Sequence, residues 1–254
     1  MASPPSSAAT CTAATCLSLK MAQFSQEFFK TAMTVDNVIF GFDEADLKVL
    51  LIKRGTEPYT GMWALPGDFI YPNEDIDAAT ARILEELTSL KNVYLEQVRT
   101  FGAVNRHPFG RVVSVAYFSL VKINRFTISP SSFAQKAKWH SVSKLKELAF
   151  DHNEILNACF QTLKQRVRVR PIGFELLPPK FTLTELQHLY EAILELNPES
   201  GLDKRNFRKK ILSMDFIVDL NESQEGVAHR PARLYEFDKN KYEKFVAEGF
   251  NFEL

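Results

Sequence analysis

The hydrophobic pattern of the chain changes near residue 170, and this change limits the possible folds more than any other feature. Before it, residues 34–141 contain β-branched and aromatic runs bounded by turn formers, a pattern typical of strands. After it, apolar side chains recur at helical spacing. A segment rich in Arg, Pro and Gly lies between the two patterns and marks a domain boundary. We therefore predict two domains, at residues 31–168 and 169–254.

The first domain combines strands with one central helix. Strand-like runs occur in VDNVIFGF, LKVLLIKRG, VYLEQVRTFGAV and RVVSVAYFSLV. Residues 75–90 form an amphipathic pattern, and a second helical pattern covers about 153–166. The apolar positions of the first helix are Ile76, Ala79, Ile83, Leu84 and Leu87. The sequence thus predicts an α+β fold, a mixed sheet with helices.

The second domain begins with a capping box, in which Thr182 is followed three residues later by Glu185. Asp203 can cap a second helix, KRNFRKKILSM. Two strand-like runs, DFIVDL and ARLYEF, and a short helical run, DKNKYEKFV, come after it. Helix, turn, helix and β-hairpin in this order predict a winged helix.

Composition limits the partners of the chain. Its 31 Lys and Arg residues balance its 31 Asp and Glu residues, so attraction to nucleic acid must come from local patches. No apolar run reaches the roughly 20 residues that a membrane-spanning helix needs, so we expect a cytoplasmic protein without membrane contact. The three cysteines, Cys11, Cys16 and Cys159, form neither a disulfide framework nor a metal set.

Residues 1–30 are predicted to be a disordered leader. The first twenty are rich in Ser, Ala, Thr and Pro and lack acidic residues, so they cannot bury enough apolar surface to fold. A transit peptide, an unprocessed leader and a mis-assigned start with Met21 as the true one all remain open.

Residues 68–90 resemble the signature of Nudix hydrolases, Gly-x5-Glu-x7-Arg-Glu-aliphatic-x-Glu-Glu-x-Gly-aliphatic. The spacing fits without a gap. The matching positions are Glu74, Arg82, Leu84, Glu86 and Leu90. The departures are Asp68 for the first Gly, Ile83 for the Glu after Arg, Leu87 for the second paired Glu and Ser89 for the last Gly.

These departures affect the metal site that the resemblance implies. The enzymes hold Mg²⁺ with the Glu residues that correspond to Ile83, Glu86 and Leu87, and Mg²⁺ requires several oxygen ligands. Only Glu86 keeps its carboxylate. We therefore expect no catalytic residue, no metal and no cofactor, and we interpret Glu74, Arg82 and Glu86 as vestigial.

The runs PIGFELLPPKFTLTELQHLYEAI and LDKRNFRKKILSMDFI resemble the winged helix of Nudix-related transcriptional regulators of the NrtR and AraR type. With the Nudix signature, the resemblance covers the chain from about residue 30 to its end, and it is strongest to the arabinose-responsive AraR group of Bacteroidetes. It implies a homodimer that binds operator DNA and senses a small molecule. The function predicted from it is a repressor of sugar-utilisation genes that responds to L-arabinose.

The helix after Asp203 supports DNA binding because it has one basic and one apolar face. Arg205 or Arg208 can reach guanine edges in the major groove, while lysines meet phosphates. The predicted DNA-binding residues are Lys204, Arg205, Asn206, Arg208, Lys209 and Lys210, with Arg230, Arg233 and His229 at or near the wing.

A small ligand needs polar groups beside an aromatic surface. The candidate effector-binding residues are Arg54, Trp63, Asp68 and Phe109. Three other functions remain open: a regulator that senses ADP-ribose, an active Nudix hydrolase of an ADP-ribose-like or nucleotide-sugar substrate that uses Glu74 and Glu86, and a scaffold whose basic helix contacts another protein.

Overall fold

The computed structural model describes residues 30–43, 46–89, 91–123, 134–196, 201–227, 230–250 and 252. The predicted leader therefore lies outside the described residues except for Lys30. Leu90, the last position of the Nudix signature, and His229, in the expected wing, lie outside them as well.

Seven strands form one mixed sheet in the N-terminal part of the described chain. They are β1 (Ala32–Phe42), β2 (Leu47–Arg54), β3 (Trp63–Ala64), β4 (Gly67–Phe69), β5 (Tyr94–Phe101), β6 (Val112–Lys122) and β7 (Ala134–Ser141). The central strands β1 and β6 run parallel, and the other pairings are antiparallel. The sequence patterns did not predict β7 or the short strands β3 and β4.

Two helices, α1 (Ile76–Thr88) and α2 (His152–Val169), cover opposite faces of this sheet. Val35 of β1 belongs to the same buried cluster as Ile83 of α1, whereas Phe40 belongs to the cluster that includes α2. Successive side chains of a strand point to opposite faces, so odd positions of β1 meet α1 and even positions meet α2. The predicted buried stripes of both helices are confirmed.

The ends of α1 are defined by local hydrogen bonds. The Asp75 side chain accepts from the Ala78 N–H, and Ser89, at φ 56°, donates its backbone N–H to the Glu85 carbonyl. These caps fix the orientation of the Nudix-like signature, whose second half lies on this helix.

The C-terminal part has the predicted order of a winged helix. It contains α3 (Leu183–Leu194), α4 (Lys204–Leu212), β8 (Ile217–Ser223), β9 (Arg233–Phe237) and α5 (Lys239–Ala247). Both hydrogen bonds of the Thr182–Glu185 capping box are present, and Asp203 caps α4 by accepting from the Asn206 N–H. The winged helix and the α+β fold are thereby confirmed.

Helix α2 connects the two parts of the molecule. It continues to Val169, three residues beyond the predicted end, and a short 3-10 helix follows at Pro171–Leu176. One cluster of buried apolar side chains extends from the sheet, through Phe160 of α2, to Tyr190 of α3. Among the described residues, no helix is long and apolar enough to cross a membrane.

Candidate effector pocket and nucleic-acid interface

Arg82 is the centre of the Nudix-like signature. Its guanidinium donates to the two oxygens of Glu74 at 2.9 and 3.1 Å, to Asp68 Oδ2 at 3.1 Å and to the Phe69 carbonyl at 3.0 Å. Glu86 Oε1 lies 3.5 Å away. The hydrogen bonds that Arg82 donates to Glu74 and to Asp68 raise the pKa of Arg82, and Arg82 lowers the pKa of Glu74. The three carboxylates of this region therefore surround one guanidinium.

The region does not fit the metal of Nudix enzymes. Ile83 and Leu87 are fully buried against the sheet, and neither offers an oxygen ligand. Within the described residues, no group of three His, Cys, Asp or Glu side chains is placed to hold a metal ion. Mg²⁺ requires several oxygen ligands, and the side chains at positions 83 and 87 do not provide them.

A pocket of about 310 Å³ lies beside the first residue of α2. Its walls come from β1, β2, β4, the loop 102–111 and the residues before α2, and they include three of the predicted effector residues, Arg54, Asp68 and Phe109. Trp63, the fourth candidate, does not line this pocket. Its ring packs 4.5 Å from the ring of His140, because β3 and β7 both pair with β2.

One group of pocket residues combines a cation with aromatic rings. Arg54 Nε donates to the Pro58 carbonyl at 2.7 Å, and its guanidinium lies 4.9 Å from the Phe150 ring. No hydrogen bond within the described residues engages its two terminal nitrogens. Burial lowers the pKa of Arg54, so this cation lacks full compensation. Phe150 stacks on His107 at 5.2 Å, and Phe109 lies edge-on to His107 with 72% of its surface exposed.

A second group of residues is largely buried and contains several charged side chains, and its members Asp36, Arg106 and His152 line the pocket. Arg106 binds both oxygens of Asp151, at 2.7 and 2.8 Å, and its Nη2 lies 3.4 Å from Asp36 Oδ2. Ser114 Oγ donates to the same Asp36 oxygen at 2.6 Å, and His152 Nε2 lies 3.5 Å from Asp36 Oδ1. We call these five residues the Asp36 cluster.

The protonation of His152 follows from its contacts. Its Nδ1 accepts the Leu65 N–H at 2.9 Å, so Nε2 carries the hydrogen of the neutral ring and directs it toward Asp36. Burial lowers the pKa of His152, against the opposing effect of Asp36 and Asp151. The ring is therefore neutral near pH 7.

The sequence patterns missed the Asp36 cluster. One signal was present, because Asp36 and Asn37 interrupt the apolar run of β1, and a carboxylate in a buried strand requires partners. Its partners lie on β6, on a loop and at the start of α2, and no local spacing connects those positions to β1.

Helix α4 presents the predicted basic face. Its apolar face, Phe207 and Ile211, is buried, as is Met214 after the helix. The exposed polar residues are Lys204, Arg205, Asn206, Lys209 and Lys210. Within the described residues, no acidic side chain forms an ion pair with these cations, so their charge is available to a polyanion.

Arg208 departs from that prediction. It is half-buried, and its Nη2 donates to Thr184 Oγ1 at 2.9 Å at the start of α3. Its Nε is buried without a partner among the described residues. Arg208 therefore packs between the two helices and does not share the exposed face of Arg205.

The wing carries mixed charge. Arg230 and Arg233 are exposed, but Arg233 donates to Asp219 Oδ2 at 2.9 Å. The Asn221 N–H and the Arg233 guanidinium hold the pKa of Asp219 below its usual value. Lys180 similarly pairs with Glu222. Part of the positive charge predicted for the wing is thus neutralised locally, and α4 carries the stronger basic surface.

Comparisons with known proteins agree with this arrangement. The model of the NUDIX domain matches residues 30–159, and that of the NrtR DNA-binding winged helix domain matches residues 173–237. The ADPR responsive transcriptional repressor NtrR of Acinetobacter baylyi is 36% identical over 228 residues, which cover 88% of this chain and 89% of the relative. The chain belongs to the NrtR family of Nudix-related transcriptional regulators.

Two solved structures of NrtR from Shewanella oneidensis are similar to this chain. The complex with a 27mer DNA has a TM-score of 0.70 and 28% identity, and the match covers 87% of this chain and 97% of that one. The NUDIX domain complexed with ADP ribose has a TM-score of 0.50 and 31% identity, over 57% of this chain and 97% of that one. The NrtR winged helix identifies this chain as a DNA-binding protein.

Proposed function

We propose that this chain is a transcriptional repressor that releases its operator when an ADP-ribose-like ligand occupies the pocket. The observation that supports this most is Arg54, whose terminal nitrogens have no hydrogen-bond partner among the described residues and lie beside the Phe150 and His107 rings. A guanidinium suits a diphosphate, and an aromatic surface suits a purine base. The name of the Acinetobacter relative and the ADP-ribose complex of the Shewanella domain support the same ligand.

An L-arabinose-responsive regulator of sugar-utilisation genes is the second candidate. It is favoured by the carboxylates of Asp36 and Asp68 in the pocket wall, which can accept sugar hydroxyls. An uncharged pentose, however, would leave the half-buried charge of Arg54 without a counterion. Titration calorimetry with ADP-ribose and L-arabinose separates the two: heat of binding with L-arabinose and none with ADP-ribose would reverse our preference.

We also propose that the Nudix domain does not hydrolyse its ligand. The support is the pair Ile83 and Leu87, which are apolar and fully buried, and the commitment of the nearby carboxylates to Arg82. Incubation of the chain with ADP-ribose and Mg²⁺ or Mn²⁺ should leave the ligand intact. Turnover at the rate of functional Nudix enzymes would contradict this proposal.

The active form is proposed to be a homodimer, formed by the Nudix domains, that binds two operator half-sites. Exposed apolar side chains at one end of the sheet support it, because such patches mark interaction surfaces. These side chains are Met33, Phe69, Tyr71, Val104 and Phe109. Two of them, Phe69 and Phe109, also line the pocket, so a ligand there would contact the surface proposed for the partner. Light scattering should give twice the mass of one chain.

We propose that residues 31–168 form the sensing domain and residues 169–254 the DNA-binding domain. Within the latter, the exposed face of α4 is proposed to contact DNA, with Arg230 and Arg233 as wing contacts. Arg205→Ala should cost about 1 to 3 kcal/mol on operator and less on random DNA, if it reads a guanine edge. Lys209→Ala should weaken both DNAs similarly, as phosphate contacts do. If both variants bind operator like the wild type, α4 is not the recognition helix.

A further inference from the structure

We propose that Asp36 determines the specificity of the pocket by accepting hydrogen bonds from the hydroxyl groups of the terminal sugar of a nucleoside diphosphate sugar. The inference rests on the proposed function, since it takes the ligand to be of the ADP-ribose class. It adds the residue that distinguishes such a ligand from the corresponding nucleoside diphosphate.

The two oxygens of Asp36 differ in their contacts. Oδ2 accepts from Ser114 Oγ at 2.6 Å and lies 3.4 Å from Arg106 Nη2. Oδ1 meets only His152 Nε2, at 3.5 Å, beyond the roughly 2.7 to 3.2 Å of an ordinary N–H···O bond, as far as the described residues show. A carboxylate oxygen has two lone-pair sites, so Oδ1 keeps capacity to accept donors from a ligand.

The neighbouring glycine leaves the space that this carboxylate occupies in the pocket wall. Gly67 pairs with Asp36 across β1 and β4, and both residues line the pocket. A Cβ at residue 67 would lie 2.2 Å from Asp36 Oδ1, so any other residue would displace the carboxylate. The fold thus places a charged acceptor in the pocket wall, with a glycine on the side of Oδ1.

The charges of the residues that line the pocket indicate where each part of the ligand binds. A carboxylate repels a diphosphate, so the diphosphate belongs at Arg54, because Arg106 is already neutralised by Asp151. Sugar hydroxyls are donors as well as acceptors and suit Asp36 Oδ1 together with the neutral His152 Nε2–H. The exocyclic amino group of adenine is the competing donor, and the experiment distinguishes it from the sugar.

The test compares ADP-ribose with ADP by titration calorimetry on the wild type, Asp36→Asn and Glu57→Gln. Glu57→Gln is the matched control: it makes the corresponding change at an exposed carboxylate of the same pocket, to which no ligand contact is assigned. Wild type and control should prefer ADP-ribose. Asp36→Asn should lose about tenfold or more of that preference, the loss expected for hydrogen bonds to a charged group, and should bind ADP as the wild type does.

Two results would overturn the inference. Asp36→Asn could keep the wild-type preference, or it could weaken ADP and ADP-ribose equally, which would assign Asp36 to the adenine or to pocket structure. If Asp36→Asn does not fold, as judged by circular dichroism, the wild type still decides, because equal affinities for ADP and ADP-ribose contradict a sugar-reading residue. A wild type that binds ADP-ribose without releasing operator refutes the proposed function and leaves Asp36 as the sugar reader.

Discussion

Arg82 and Arg106 each gather carboxylates, but they do so in different surroundings. The Arg82 side chain is 21% exposed, and its partners all come from a stretch of 19 residues between Asp68 and Glu86. The Arg106 side chain is 4% exposed, and its partners Asp36 and Asp151 lie 70 and 45 residues away. The first cluster holds the shape of one motif, whereas the second joins β1, a loop and α2 at the pocket. Because the second cluster is buried, removal of its Arg should lower the free energy of unfolding more than removal of Arg82.

Removal of Arg106 should have the largest effect. Arg106→Gln leaves Asp36 and Asp151 buried without their cation, and breaking a buried pair in this way costs about 3 to 5 kcal/mol. Urea denaturation followed by circular dichroism measures the loss. A free energy of unfolding within about 1 kcal/mol of the wild type, a loss typical of a surface ion pair, would remove the contrast between the clusters.

Removal of Arg82 should have a smaller effect. In Arg82→Gln, Asp68, Glu74 and Glu86 keep access to water, which screens their charges. The loss of stability in the same urea experiment should be about half that of Arg106→Gln or less. An equal or larger loss would show that the ion pairs of Arg82 stabilise the fold at least as much as the buried ion pairs of Arg106.

The pH dependence of stability provides a third test, which concerns His152 of the Asp36 cluster. The pKa of His152 is lowered by burial, so below about pH 6.5 the unfolded chain takes up a proton that the native chain resists. Stability from the neutral ring is thus present above that pH and is lost as the pH falls, by at most about 1.4 kcal/mol per pH unit.

His152→Asn keeps an acceptor for the Leu65 N–H but cannot titrate. Between pH 7 and 5.5 its free energy of unfolding should fall less steeply than that of the wild type. Denaturant titrations at several pH values measure both slopes. Identical slopes would mean that His152 takes a proton in the native cluster, in contrast to the neutral ring described above.

The sequence predicted the local features well. The stripe of α1, the capping box at Thr182 and the Asp203 cap depend on residues within one or two helical turns of each other, so their spacing identifies them. The order of helices and strands in the winged helix follows from the same short-range patterns.

The pocket could be predicted only in part. Arg54, Asp68 and Phe109, predicted from the sequence as effector-binding candidates, line one pocket. The long-range contacts of Asp36, Arg106, Asp151 and His152 depend on the parallel pairing of β1 with β6 and on where the loop 102–111 lies. Side-chain packing across the fold also determines the positions of Trp63 and Arg208. The Trp63 ring packs against His140, and the Arg208 guanidinium donates a hydrogen bond to Thr184.

The link between the pocket and the recognition helix is tested most directly by operator binding with and without ADP-ribose. Fluorescence anisotropy with an operator fragment selected by the chain from genomic DNA should show affinity reduced about fivefold or more at saturating ADP-ribose, the lower range of measured allosteric couplings. Arg54→Gln should keep operator affinity and lose the response. An unchanged operator affinity, while calorimetry shows the pocket filled with ADP-ribose, would contradict control of DNA binding by this ligand.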